Sequence, residues 1–111
     1  MREKRRYLLV EASEAVAHAH DFEHALSVQI LRCVGELGYH TISPKIVKVA
    51  SPTLFVIRTR ARGLRTLVLA LALIKRLDGR HVAFYTLKTS GLPSHIEAAA
   101  QRMMSECAAG Q

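Results

Sequence analysis

The sequence predicts a single α/β sandwich over residues 1–111, with a βαββαβ run closed by a C-terminal helix. Three observations predict it. Short runs rich in β-branched and aliphatic residues alternate with longer stretches of helical periodicity. Two of the strand-like runs are joined only by Ala50-Ser51-Pro52, a connection short enough to require an antiparallel hairpin. Half of the 111 residues are hydrophobic, which rules out disorder as the main state. A chain of this size buries roughly two-thirds of its extended surface on folding, enough for one core.

Tyr7 to Glu11 is the first predicted strand, and Ser13 to His20 reads as a loop. Asp21 is the expected N-cap of a first helix, with Glu23 favourable in its first turn. Phe22, Leu26, Ile30, Val34 and Leu37 recur at helical spacing as one apolar stripe. Cys33, beside that stripe, reads as a small core residue, and Gly38 is expected to end the helix in the left-handed conformation. Lys45 to Val49 and Thr53 to Arg60 are the second and third strands. Strand alternation puts Leu54, Val56, Arg58 and Arg60 on one face. Gly63 to Leu77 is a predicted helix stopped by Asp78-Gly79, and His81 to Leu87 is the fourth strand. Ser94 is expected to cap a third helix running to Ser105, with Glu97 completing a capping box. Residues 108–111 are expected to fray. This order is that of a ferredoxin-like sandwich: an antiparallel four-stranded sheet, helices on one face, the other face free.

The second helix carries more apolar surface than one sheet contact uses. Leu64, Leu67, Val68, Leu71 and Ile74 supply the stripe, yet Leu69, Ala70, Ala72 and Leu73 fill much of the remaining circumference. Either the third helix covers this surplus or a protein partner or a second copy does, and Leu69 and Leu73 are the candidate partner contacts.

The charge is uneven. Sixteen Lys and Arg against nine Asp and Glu give +7. Residues 45–88 alone carry ten basic side chains against Asp78. Arg58, Arg60, Arg62 and Arg65 follow one another with no acid among them. Guanidinium groups this crowded repel unless an anion is near, and a polyphosphate backbone is the commonest such anion. A solvated basic face is the alternative.

Catalytic chemistry is poorly provided for. Two Asp and seven Glu are widely spread, and no glycine-rich phosphate loop or nucleophile motif occurs. His18, His20 and His24 lie close together but lack the Cys or Glu partners of a zinc site, so no metal site is expected. Two cysteines make no disulfide framework. The longest apolar run, Leu67 to Ile74, is too short to cross a bilayer, and no signal-peptide core follows the basic N-terminus. The expectation is a cytoplasmic protein without a membrane contact. The third strand, Thr-Leu-Phe-Val-Ile-Arg-Thr-Arg, lacks the glycine and spaced aromatics of base-stacking RNA sheets. RNA, if bound, would be held through phosphate and shape.

Several segments together resemble a known family, the archaeal and eukaryotic ribonuclease P protein component 2. They are Lys4-Arg5-Arg6-Tyr7-Leu8-Leu9-Val10-Glu11, Val56-Ile57-Arg58-Thr59-Arg60, Ala70-Leu71-Ala72-Leu73-Ile74 with Asp78-Gly79-Arg80-His81-Val82-Ala83-Phe84, and Ser90-Gly91. The family commonly has Cys where Thr59 stands and Thr-Ile where Leu92-Pro93 stands. The resemblance implies an RRM-like sandwich that is a non-catalytic subunit of ribonuclease P, with an archaeal-type source. In that family the catalytic RNA, with Mg²⁺, removes the 5′ leader of precursor tRNA. No cofactor is implied for the protein chain itself. Its implied partners are ribonuclease P RNA, the TIM-barrel protein component 3 and, in some assemblies, a second copy. Charge and resemblance together nominate Lys4, Arg5, Arg6, Arg58, Arg60, Arg62 and Arg65 as phosphate contacts. Another structured-RNA binder, ribosomal or chaperone-like, and a ferredoxin-like oligomerisation or regulatory domain are the competing readings.

Overall fold

The computed structural model describes residues 4–77 and 79–109, the last three of these by backbone alone. The elements are β1 (Arg5–Ala12), α1 (Ala19–Ile42), β2 (Lys45–Ser51), β3 (Leu54–Arg60), a 3-10 turn (Ala61–Gly63), α2 (Leu64–Leu73), β4 (Arg76–Leu77), β5 (Arg80–His81), β6 (Phe84–Ser90) and α3 (Pro93–Ala109). β1 is central because Leu8, Leu9 and Val10 are all buried, so both faces of the strand are covered. It pairs antiparallel with β3 and with β6, and β3 pairs antiparallel with β2. The sheet order is β2-β3-β1-β6.

Side-chain alternation divides the core into two layers. On one face Leu8, Val10, Phe55 and Ile57 meet Phe22, Leu26 and Ile30 of α1 and Leu67, Ala70 and Leu71 of α2. Phe22 stacks on Phe84 at 4.3 Å between centroids and tilts against Phe55 at 5.0 Å. On the other face Leu9, Leu54 and Val56 meet Ile96, Ala99 and Ala100 of α3. The expected free sheet face is therefore occupied. α3 neither leaves that face open nor covers α2, because the small residues Ala99 and Ala100 let it lie directly on the strands.

Several boundaries differ from expectation, each for a local reason. α1 starts before Asp21, which falls in its first turn, and His18 takes the N-cap position without a side-chain bond. The helix continues past Gly38 to Ile42, and the left-handed C-cap is Ser43 at φ 46°, ψ 59°. The break comes earlier, at Gly35, whose φ of 72° and ψ of −176° lie in a region essentially reserved for glycine. The helical stripe loses register there. Val34 and Leu37, expected in the core, are exposed, Leu37 by 87%. Cys33 also points outward rather than into the core.

α2 stops at Leu73 rather than Leu77, and Ile74 is already extended at ψ 115°. The Asp78-Gly79 signal does not stop α2, which already ends at Leu73. Asp78 lies outside the described residues, but Gly79 has φ 77°, and β4 and β5 pair on either side of it. The fourth sheet strand consequently begins at Phe84. α3 begins with Pro93, whose missing N–H suits a first helical position. Ser94 is thus inside the first turn and does not cap it. Ser90 Oγ instead accepts from the Leu92 N–H at 3.1 Å. α3 continues to Ala109, so 108 and 109 are helical, while 110 and 111 lie outside the described residues.

Candidate nucleic-acid interface

The chain brings its basic residues to one end of the sheet. β1 begins there and β3 ends there, so the antiparallel register sets Arg5 opposite Arg60 and Tyr7 opposite Arg58. The Ala61 N–H donates to the Lys4 carbonyl at 2.9 Å, tying the turn after β3 to the start of β1. Arg62 lies in that turn and Arg65 in the first turn of α2, both exposed. Alternation from Leu9 and Val56 places the Arg5 and Arg58 stems on the α3 side of the sheet.

Arg60 departs from its expected direction. At the end of β3 its Nη1 donates to the His40 carbonyl at 3.1 Å. The guanidinium therefore meets the negative C-terminal end of α1, where a cation is favourable. Thr59 assists: it is buried, and its hydroxyl donates to the Ile42 carbonyl at 2.7 Å. Arg6 leaves from the opposite face to Arg5 and lies beside Gly91. A Cβ on Gly91 would come within 2.8 Å of Arg6 Nη1. The Ser90-Gly91 turn thus makes room for a guanidinium.

Lys45 was not among the residues nominated from sequence. It stands opposite Arg58 in the β2–β3 register and adds a further cation to the same row. Irregular pairing between Ile46 and Lys48, and again between Val49 and Ser51, hides this when residues are counted from the turn.

Like charges facing each other across strands are destabilising, and the local dipoles do not relieve them. The first turn of α2 has Arg62 before it and Arg65 within it, with no acid and no side-chain cap. The first turn of α3, at this same end, also lacks an acid. Cations and positive helix ends coincide, an arrangement suited to an anion. Among the described residues Lys4, Arg5, Arg58, Arg62 and Arg65 have no carboxylate partner. Of the seven nominated residues the fold groups all at this end, and it engages Arg60 within the chain.

The apolar surplus of α2 remains uncovered by the chain. Leu69 is 56% and Leu73 43% exposed, and Leu31, Val34 and Leu37 are exposed on α1. Histidines 18, 20 and 24 are exposed. Among the described residues no three His, Cys, Asp or Glu side chains group as a metal site, and no helix is long and apolar enough to cross a membrane.

A small basic sandwich that gathers Lys4, Arg5, Arg6, Arg58, Arg62 and Arg65 at one end, without carboxylate partners among the described residues, and that exposes an apolar helix face has the surfaces of a ribonucleoprotein subunit. The sequence profile of the Rpp14/Pop5 family matches residues 6–101, and the chain belongs to that family of ribonuclease P and ribonuclease MRP protein subunits. Its role is that of a non-catalytic subunit of this class of ribonucleoprotein. The fold is similar to a chain in the cryo-EM structure of yeast Ribonuclease MRP, with a TM-score of 0.66 at 13% identity, covering 96% of this chain and 92% of that one. No curated protein matches the chain in sequence.

Proposed function

We propose that the chain is the component 2-like subunit of ribonuclease P, stabilising a catalytic RNA that removes the 5′ leader of precursor tRNA. The observation that carries the reading is the cationic end of the sheet. Lys4, Arg5, Arg6, Arg58, Arg62 and Arg65 come together there from the start of β1, β3, the 3-10 turn and α2, and none has a carboxylate partner among the described residues. Their role is to neutralise RNA phosphates and fix the register of the protein on a folded RNA. Arg60 contributes by holding the end of α1 and by the charge it adds nearby. Mg²⁺ chemistry is assigned to the RNA, as the family resemblance implies. The strand order β2-β3-β1-β6 supports the ferredoxin-like reading of the fold.

Leu69 and Leu73 are the contacts proposed for a TIM-barrel protein subunit, component 3 in the family resemblance. Their exposure after α3 has been used elsewhere supports a partner from outside the chain. The test is reconstitution with catalytic RNA and precursor tRNA, with and without this chain. Leader removal should accelerate or need less Mg²⁺ when the chain is present. No change at any protein concentration, with the TIM-barrel subunit also supplied, would overturn the reading.

A further inference from the structure

A second group of cations lies at the other end of α2. Ten residues of helix place it about 15 Å from the first. There α1, the last turn of α2 and the β4–β5 hairpin enclose a groove of about 610 Å³. Its rim carries His24 and Arg32 from α1, Lys75 from the α2–β4 connection, Arg76 from β4 and His81 from β5, and Leu73 lies in its wall. No acid lines it. Asp21 borders the adjoining hollow beside His20, His24 and Arg76, without an ion pair to Arg76. Arg76 Nη2 stands 3.5 Å from His81 Nε2. These two groups are close enough for both to reach the non-bridging oxygens of one phosphate.

The hairpin itself builds this site. Had α2 continued to Leu77, Lys75 and Arg76 would point along the helix surface. Because the chain turns at Ile74, the Val82 N–H bonds the Lys75 carbonyl at 3.0 Å, and the hairpin folds back toward α1. The rim cations then face one groove from three elements, which a merely solvated basic face does not require.

We infer that this groove is a second RNA-backbone site, taking the phosphates of a strand distinct from the one held at the Arg5–Arg58 end. The inference rests on the reading of the chain as an RNA-bound subunit. Two sites at opposite ends of α2 let one small protein clamp two segments of a folded RNA.

The test uses the full chain and a labelled stem-loop RNA longer than one helical turn, titrated at several salt concentrations. Lys75→Gln with Arg76→Gln should flatten the slope of log K against log salt by about one to two units. Arg5→Ala with Arg58→Ala should flatten it separately, and the combined variant should show both losses. A slope changed only by the Arg5 and Arg58 pair leaves the proposed function standing and overturns the second site. Labelled poly-glutamate that binds through Lys75 and Arg76, with RNA binding indifferent to them, assigns the groove to an acidic protein segment and also overturns it. Absence of RNA binding by the unaltered chain sinks both readings. Should the Lys75 and Arg76 variant fail to fold, lysine acetylation of the unaltered chain decides. RNA should protect Lys75 together with Lys4, and protection of Lys4 alone refutes the site.

Discussion

Thr59 and Gly63 show how single residues set the position of the cationic end. The Thr59 hydroxyl is buried and bound to the Ile42 carbonyl, joining β3 to the last turn of α1. Thr59→Val keeps the shape and removes the donor, leaving that carbonyl short of a partner. Unfolding in urea should show a loss of about 1–3 kcal/mol. Gly63 has no room for a side chain: a Cβ would sit 2.6 Å from the Ile42 Cα. Gly63→Ala should therefore push α2 away from α1 and destabilise by about 1–3 kcal/mol. It should also weaken RNA binding, since Arg62 and Arg65 flank it. Arg58 and Arg60 should separate in experiment although they are neighbours on one strand face. Arg58→Ala should lower the salt slope of RNA binding by about 0.9 with little change in melting temperature. Arg60→Ala should lower the melting temperature, because its guanidinium completes the C-terminal end of α1, an interaction worth about 0.3–1 kcal/mol.

Two elements depart from simple amphipathic behaviour. α1 is interrupted at Gly35, in a conformation that other residues adopt only under strain. Nothing lies within 4 Å of a Cβ built there, so Gly35→Ala tests the backbone alone. Its expected loss is about 1–3 kcal/mol by thermal or chemical denaturation. α3 occupies the sheet face that a four-stranded sandwich of this order could leave open. Ile96 is fully buried against Leu9, Leu54 and Val56. Ile96→Ala should remove about 2–5 kcal/mol, and binding of a hydrophobic dye should reveal the uncovered strands. A variant as stable as the original would mean that α3 does not hold this face closed.

The Cα extents of 45 × 38 × 18 Å are those of a slab. Helices lie on both faces of the sheet. The molecule's function depends on the separation of surfaces that results. The β1 start, β3 end and α2 start form one cationic edge, and the β4–β5 hairpin forms another. The α1–α2 layer presents Leu69 and Leu73 outward. Leu69→Glu with Leu73→Glu should leave stability within about 0.5 kcal/mol, as exposed substitutions do. The same pair should abolish capture of a TIM-barrel subunit while the RNA binding that depends on Arg58 persists; Leu69→Glu alone, clear of the second groove, should leave all RNA binding intact. Loss of both activities together would show that the surfaces are not separable.

Hydrophobic periodicity alone located the four sheet strands and the three helices, since alternation and the 3.6-residue repeat are local properties. It also revealed the excess of Leu on α2 and the concentration of arginine from Arg58 to Arg65, because composition needs no coordinates. The Asp78-Gly79 pair read as the stop of a helix through Leu77, whereas a hairpin stands there, since pairing of Arg76 with His81 depends on how the chain returns to α1. Gly35 rather than Gly38 breaks α1, and both are equally permissive by themselves, so the local sequence does not choose between them. The side of the sheet taken by α3 was not legible either, because its small stripe suits strands or helix alike. Only the tertiary structure brought Lys45 beside Arg58, turned Arg60 to the end of α1 and separated the cations into two groups. Local sequence fixes which face of an element a residue occupies, whereas long-range register and packing determine what that face meets.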